Sequence, residues 1–479
     1  MPRIVDATVV GSGPNGLAAA IVLAREGHSV RLIEAHSTVG GGLRSAQLTL
    51  PGFLHDVCSA VHPLGIASPF FRSLPLGDHG LEWVQPPVPL AHPLDDGTAV
   101  CLERSLKATC DGLGRDGRAY GGLMAPFLIG FRHLLEEVLG PLRLPRHPLL
   151  LARFGATAAL PARWLAERLF RGEAARALFA GTAAHSILPL EHPMTSGFGL
   201  MLSACAHAAG WPVARGGSQR IAEALASHLR GLGGEIVTGT TVATIEELGP
   251  PPVALFGVSP SALAAVAGSR LPASYRRRLL AFRHGPGAFK VDYALDSPVP
   301  WRAEACRRAG TLHLGGPLYE IAEAEAAVAR GEHPERPFVI LAQPSLFDPT
   351  RAPEGKHTLW AYCHVPAGST EDMAERIEEQ IERFAPGFRG RILARHTMSP
   401  ADLEAYNPNY VGGDIAGGSH DLRQILFRPT ARLFPYSTPD RGIFICSAST
   451  PPGAGVHGMC GYFAARAAVR RLRGLRGMV

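Results

Sequence analysis

Lysine is almost missing from this chain of 479 residues: of 47 Lys and Arg, only positions 107, 290 and 356 are lysine. The net charge of +6 is therefore an arginine charge, and with 55 Gly and 41 Pro it reads as a GC-rich bacterial coding bias. The one dense basic run, Arg466, Arg470, Arg471, Arg473 and Arg476, fits the solvated face of a terminal helix, so no nucleic-acid partner is expected. Long apolar runs are also missing. No stretch approaches the roughly eighteen uninterrupted apolar residues of a spanning helix. That excludes a transmembrane segment and leaves only a peripheral membrane contact open. An apolar run, Leu17 to Ala24, has only Arg3 before it and is preceded by Gly-Pro-Asn-Gly, which argues against a signal peptide. The 8 cysteines form no CxxC pair, so a secreted disulfide framework is excluded and a reducing cytoplasm is expected. The 20 histidines contain no HExxH and no His/Cys cluster at ligand spacing, so no metal is expected. There is no G-x-S-x-G elbow, no tandem repeat and no low-complexity linker. With 46% hydrophobic and 18% charged residues, the chain reads as a globular protein of two or three domains.

The most informative segment is the first forty-four residues. Ala7 to Val10 is a short apolar run feeding the turn Gly11-Ser12-Gly13-Pro14-Asn15-Gly16. Gly11 permits the tight turn. Gly13 removes a Cβ where a pyrophosphate would approach, and Gly16 lets the following helix sit close to the strand. Leu17, Ala20, Ile21 and Ala24 recur at helical spacing, and Gly27 is placed to end the helix. Ser29 to Glu34 is a second strand. The carboxylate at its end suits ribose hydroxyls and would repel a 2′-phosphate. The free N–H groups at the helix start and the helix dipole favour a pyrophosphate. This is a dinucleotide-binding βαβ unit, and the Gly40-Gly41-Gly42-Leu43-Arg44 extension favours FAD over NAD.

Further nucleotide-domain signals arrive in pieces. One comprises Gly216-Gly217-Ser218, a helix over 219–232, a strand over 235–237, an alternating strand Thr240 to Ile245 and an apolar strand Val253 to Val258. The last is a strand Gly442 to Cys446, a loop through Gly455 and a helix starting near Val456. The sequence therefore predicts an α/β fold. A Rossmann-like domain is assembled from residues 1–75, 214–260 and 425–479, with an inserted α+β substrate domain from 76–213 and 261–424. The insertions are expected to hold a strand pair between Trp83 and Leu102 and helices near 120–140, 160–180 and 196–209. Also expected there are strands Ala288 to Leu295 and Arg391 to His396, and a charged helix near Thr370 to Phe384.

The blocks Val39 to Ser45, Leu50 to Asp56, Ser59 to Pro63, Asn407-Pro408-Asn409 with Gly412 to Ile415, Arg428-Pro429 and Gly442 to Gly461 resemble the phytoene dehydrogenase-like flavoproteins. The resemblance implies FAD held in a glutathione reductase-type fold shared with amine oxidases and carotenoid desaturases. It places cofactor contacts at Gly11, Ser12, Gly13, Pro14, Asn15, Gly16, Glu34, Ala35, Gly41, Gly42, Leu43 and Arg44, with Arg44 on the pyrophosphate. Val242 falls at the adenine, and Ser447, Ala448, Gly455, Val456, His457 and Met459 fall at the flavin. Two departures stand out. Ser447 replaces the usual Gly, and only residues 246–252 stand where the family has a β-meander. That shortening is expected to leave part of the sheet uncovered or covered by a partner.

For the reacting site, the resemblance offers Lys290, in its strand, as a counterpart of the strand lysine that in amine oxidases holds a water near the flavin. His55 and His62 follow the glycine-rich extension and are the other catalytic candidates. Tyr410 is a candidate for closing the site, and Phe127, Phe131, Trp164 and Phe198 for an apolar wall. The resulting expectation is a cytoplasmic FAD-dependent oxidoreductase that dehydrogenates an apolar small molecule in carotenoid or specialised-metabolite biosynthesis, with an oligomer left open. Its electron acceptor is unknown, with oxygen one option. The alternatives are a non-redox FAD-dependent isomerase and a catalytically silent flavin-binding protein.

Overall fold

The computed structural model describes residues 5–249 and 251–476; the side chain of Arg476 and Pro250 of the 246–252 connection lie outside the described residues. Two sheets organise the chain. The first is a five-stranded parallel sheet with strand order Ile443–Ile445, Val253–Phe256, Ala7–Val10, Val30–Ile33, Glu235–Val237. Ala7–Val10 lies at its centre and is buried at all four positions, as an apolar run covered on both faces should be. The Pro14–Arg25 helix follows and packs on the C-terminal Met459–Arg476 helix. That packing is backbone-close: a Cβ on Gly461 would overlap the carbonyl oxygen of Asn15. The C-terminal helix begins at Met459, later than the expected Val456, because Gly453, Gly455 and Gly458 all take positive φ and hold the preceding segment as a loop.

The second sheet has seven strands, in the order Ile392–Met398, Gly287–Leu295, His357–Val365, Val339–Ala342, Ala309–Leu314, Val88–Pro93, Ala99–Leu102. Its neighbours are antiparallel except for the parallel pair Ala309–Leu314 with Val88–Pro93. Side chains alternate between its faces. Phe289, Val291, Tyr293, Leu341, Leu359, Ala361 and Cys363 pack with the Ala374–Phe384 helix as one core. The opposite face carries His313, Ile340, Tyr362 and Lys290 in one row, since these residues are register partners. Trp360 and Asp292 form the adjacent row. Helices between residues 106 and 208 complete this half, close to the predicted positions.

One expected element is wrong. Thr240 to Ile245 is no strand; residues 240–244 are irregular and Ile245–Leu248 is a 3-10 turn closed by a Thr244/Glu247 capping box. The sheet face there is not left bare either. Val242, Ile245 and Leu248 pack with Val10, Ile33 and Phe256 and with Leu263 of the Pro260–Ala267 helix. Among the described residues no helix is long and apolar enough to cross a membrane.

Candidate functional site

A cleft of about 630 Å³ opens between the two sheets, within the size range of cofactor and ligand sites. One end is the first glycine turn. Gly11 takes φ +95°, and a Cβ on Gly16 would overlap the Gly11 carbonyl oxygen, so turn and helix are locked together. At Gly13 nothing lies within 4 Å of where a Cβ would sit. The glycine is bare toward the cleft and not toward a packing partner. Gly13 also caps the helix without any side-chain acceptor for the first N–H groups. Asn15 Oδ1 is buried there with no hydrogen-bond partner. An open cradle and unclaimed helix N–H groups fit the phosphates of a dinucleotide.

Glu34, buried at the end of its strand, accepts from Ser12 N at 2.8 Å, Ser12 Oγ at 2.6 Å and His36 N at 2.9 Å. Arg44 Nη2 donates to Glu34 Oε1 at 3.1 Å, and the guanidinium also reaches the Thr38 carbonyl at 2.9 Å. Arg44 thus braces the turn against the second strand as well as lining the cleft, and lies against the ring of Tyr406. Tyr406 and Tyr410 close over the extension: Tyr406 Oη donates to the Gly41 carbonyl at 2.8 Å, and a Cβ on Gly42 would overlap Tyr410 Oη. Gly11 through Gly16, Glu34, Ala35, Gly41 through Arg44, Val242, Ser447, Ala448, Gly455 and Val456 all line this one cleft. His457 and Met459 do not. The Met459 N–H donates to His457 Nδ1 at 3.0 Å, so the ring proton sits on Nε2, which faces the Ala454 carbonyl at 3.2 Å. Burial holds this imidazole neutral, its pKa lowered to about 4. It pins the loop and does not face the cleft.

The three catalytic candidates sit behind the cleft wall; none lines it. Lys290 is ion-paired with Asp292 two residues on, both buried. Burial raises the Asp292 carboxyl to about 6 despite Lys290. His55 Nδ1 lies 3.6 Å from Asp292, and its Nε2 bonds Thr49 at 2.8 Å. Burial, then Lys290, lowers His55 to about 3. His62 Nε2 donates to Ser218 Oγ at 2.8 Å, and Ser218 passes its proton to the Ser59 carbonyl at 2.6 Å. Burial lowers His62 to about 4.

Next to these histidines runs a clamp that the sequence did not reveal. Arg351, fully buried, donates to Asp56 Oδ2 and to Asp348 Oδ2, each at 2.9 Å. Asp56 also accepts from Ser45 Oγ and Ser218 N, and Asp348 from Gly216 N, each at 2.7 Å. Burial pushes both carboxyls up, but Arg351 and these donors outweigh it and hold both below the usual range. Three distant chain segments are tied at one guanidinium.

Away from the glycine turn the cleft is lined by His185 and by Ile340, Trp360 and Tyr362 of the seven-stranded sheet. His185, Trp360 and Tyr362 were not singled out from the sequence. The only signal was the alternation Trp360, Tyr362, His364 in a strand not anticipated. The expected apolar wall does not form it: Phe127 and Phe131 are core, Trp164 is 47% exposed, and Phe198 stacks on His420. One group of potential metal ligands, His133, Glu136 and His147, brings its atoms within 4.8 Å of one another. Sequence spacing missed it because His147 comes from the start of the next helix.

Residues 9–74 match the family described as NAD(P)-binding Rossmann-like domain. Over 98% of this chain and 94% of the relative, the chain is 25% identical to pyridine nucleotide-disulfide oxidoreductase domain-containing protein 2 of Rattus norvegicus. It is 31% identical to 4,4'-diapolycopen-4-al dehydrogenase of Metabacillus indicus, over 26% of each chain. In structure it resembles wild-type putrescine oxidase bound to putrescine, with TM-score 0.61 and 17% identity over 99% of both chains. The fold is that of putrescine oxidase: mixed α/β with a parallel nucleotide sheet.

Proposed function

We propose that the protein is a FAD-dependent oxidoreductase that dehydrogenates a largely apolar organic molecule. The observation that carries this reading is the single cleft. It runs from the bare glycine turn at Gly13 to the sheet face at Ile340, Trp360 and Tyr362. The Gly11–Gly16 turn and the helix start would hold the pyrophosphate, Glu34 the ribose, and Val242 the adenine side. Ser447, Ala448, Gly455 and Val456 would border the ring. Bound there, FAD supplies the acceptor for a hydride. The chain contributes placement and exclusion of water: Trp360 and Tyr362 meet at 5.1 Å edge to face and, with Ile340, wall the space beyond the ring. With Lys290, His55 and His62 behind the wall, no charged base is needed in the scheme. Similarity over about a quarter of the chain to 4,4'-diapolycopen-4-al dehydrogenase, and to a whole-length oxidoreductase-domain relative, supports redox chemistry.

The test is direct. Purified protein should be yellow and release FAD, identified by mass, on heat denaturation. A colourless folded protein that takes up no added FAD refutes the reading.

A further inference from the structure

His185, on the cleft wall, faces a second imidazole buried behind it, His313. His185 Nε2 and His313 Nε2 are 2.9 Å apart. His313 is fully buried and its Nδ1 has no hydrogen-bond partner; the backbone at Gly181 closes that side, since a Cβ there would lie 2.6 Å from it. Burial lowers the pKa of both rings, His185 to about 3, so both are neutral at pH 7. One Nε2 must then carry a proton and the other must accept it. A buried N–H without a partner is rarer and costlier than a buried lone pair without one. His313 therefore keeps its only proton on Nε2 and donates it to His185. That leaves the proton of His185 on Nδ1, which no described group accepts, on a ring that lines the cleft.

Two further donors line the same end. Trp360 Nε1 is buried without a partner. Tyr362 is buried, its phenol is held protonated by burial, and no described group bonds its oxygen. Tyr362 shares a row with His313 across the sheet, separated only by Ile340. Carboxylates are scarce by contrast: among the described residues Glu34, at the other end and beside Ser12 and Arg44, is the only acidic residue lining the cleft. The backbone near His185 is strained. Ile187, β-branched, takes φ 55° as the 3-10 turn that carries His185 ends.

We propose that His185, with its proton fixed by His313, joins Trp360 and Tyr362 in a donor site for an uncharged oxygen, a hydroxyl or carbonyl, on an otherwise apolar substrate. The site excludes an ammonium group, which has no lone pair to offer and finds no counter-charge. This deepens the reading of the cleft as an FAD and substrate site and rests on it.

The experiment uses FAD-loaded full-length protein and four probes of similar size: limonene, carveol, carvone and cyclohexylamine. Binding is read by thermal shift and by perturbation of the flavin spectrum. FAD loading is measured first, so that its failure falls on the cofactor reading alone. Carveol and carvone should bind about tenfold or more tighter than limonene, the worth of one well-made buried hydrogen bond. Cyclohexylamine at pH 7 should bind no better than limonene. His185→Leu should remove the advantage of carvone and leave limonene unchanged, while His185→Gln, which keeps a donor, should retain part of it. If His185→Leu does not load FAD, Trp360→Phe gives the same comparison through a second donor. Equal binding of limonene and carvone, preference for the amine, binding of none of the four, or full carvone selectivity in both His185→Leu and Trp360→Phe overturns the proposal.

Discussion

Gly13 and Gly16 stand three residues apart and answer to different forces. Gly13 has φ −63° and open space around it, so Gly13→Ala fits the fold. We expect its stability within about 0.5 kcal/mol of the parent, with FAD affinity lowered at least about tenfold. Gly16→Ala places a methyl on the Gly11 carbonyl oxygen and should cost roughly 1–3 kcal/mol or more of stability as well as the cofactor. Urea unfolding and FAD titration of the two variants separate these roles; equal losses of stability would contradict it. Arg351→Leu removes the cation from between Asp56 and Asp348, leaving Asp56 buried without its ion pair and Asp348 with only Arg215 at 4.0 Å. A loss of about 3–5 kcal/mol is expected, read as a lower urea midpoint. The glycine roles were legible from spacing alone. The clamp was not: Asp56 lies in a block that could be singled out, but Arg351 is 295 residues away and nothing local marks it as its partner.

At the level of elements, the parallel strands could be read because each is a short apolar run next to a glycine turn. Three antiparallel strands, Ala309–Leu314, Val339–Ala342 and His357–Val365, escaped because they are buried on both faces and show no clean alternation. Thr240 to Ile245 failed for the opposite reason. It alternates by eye, but its buried positions are Val242 and Ile245, with Leu248 next, a period of three that suits a 3-10 turn and not a strand. The helix pair at the sheet's back offers a test on this scale. Gly461→Val should push the C-terminal helix off Asn15 and lower both the unfolding midpoint and FAD retention, because Asn15 opens the first helix at the glycine turn. Unchanged FAD retention with a lower midpoint would mean that the two helices adjust without moving the turn.

For the molecule as a whole, buried histidines set the response to acid. His55, His62, His92, His420 and His457 are all held at about 3 to 4 by burial, against about 6.5 when unfolded. Between those values the unfolded chain binds more protons, so stability is fully present above pH 6.5 and is lost as pH falls toward 4. Each group contributes up to about 1.4 kcal/mol per pH unit. Asp292, raised to about 6, acts with the opposite sign, and one group against five does not reverse the trend. The urea midpoint should therefore drop clearly from pH 7.5 to pH 5; a flat profile would show that these imidazoles are not neutral in the fold.

Local rules decided the nucleotide half. A strand, a glycine turn, a helix and a terminal carboxylate are neighbours in sequence, so steric and dipolar constraints among them show directly in residue order. They fixed the βαβ unit, the place of the cleft's first end and the class of cofactor it suits. The far end was decided only by tertiary structure. Which residues of the seven-stranded sheet face the cleft depends on register across strands far apart in sequence. That long-range pairing put Trp360 and Tyr362 on the cleft, with Lys290 in the row of Tyr362 but off the lining, and the packing of the Ala184–Ser186 turn brought His185 beside them.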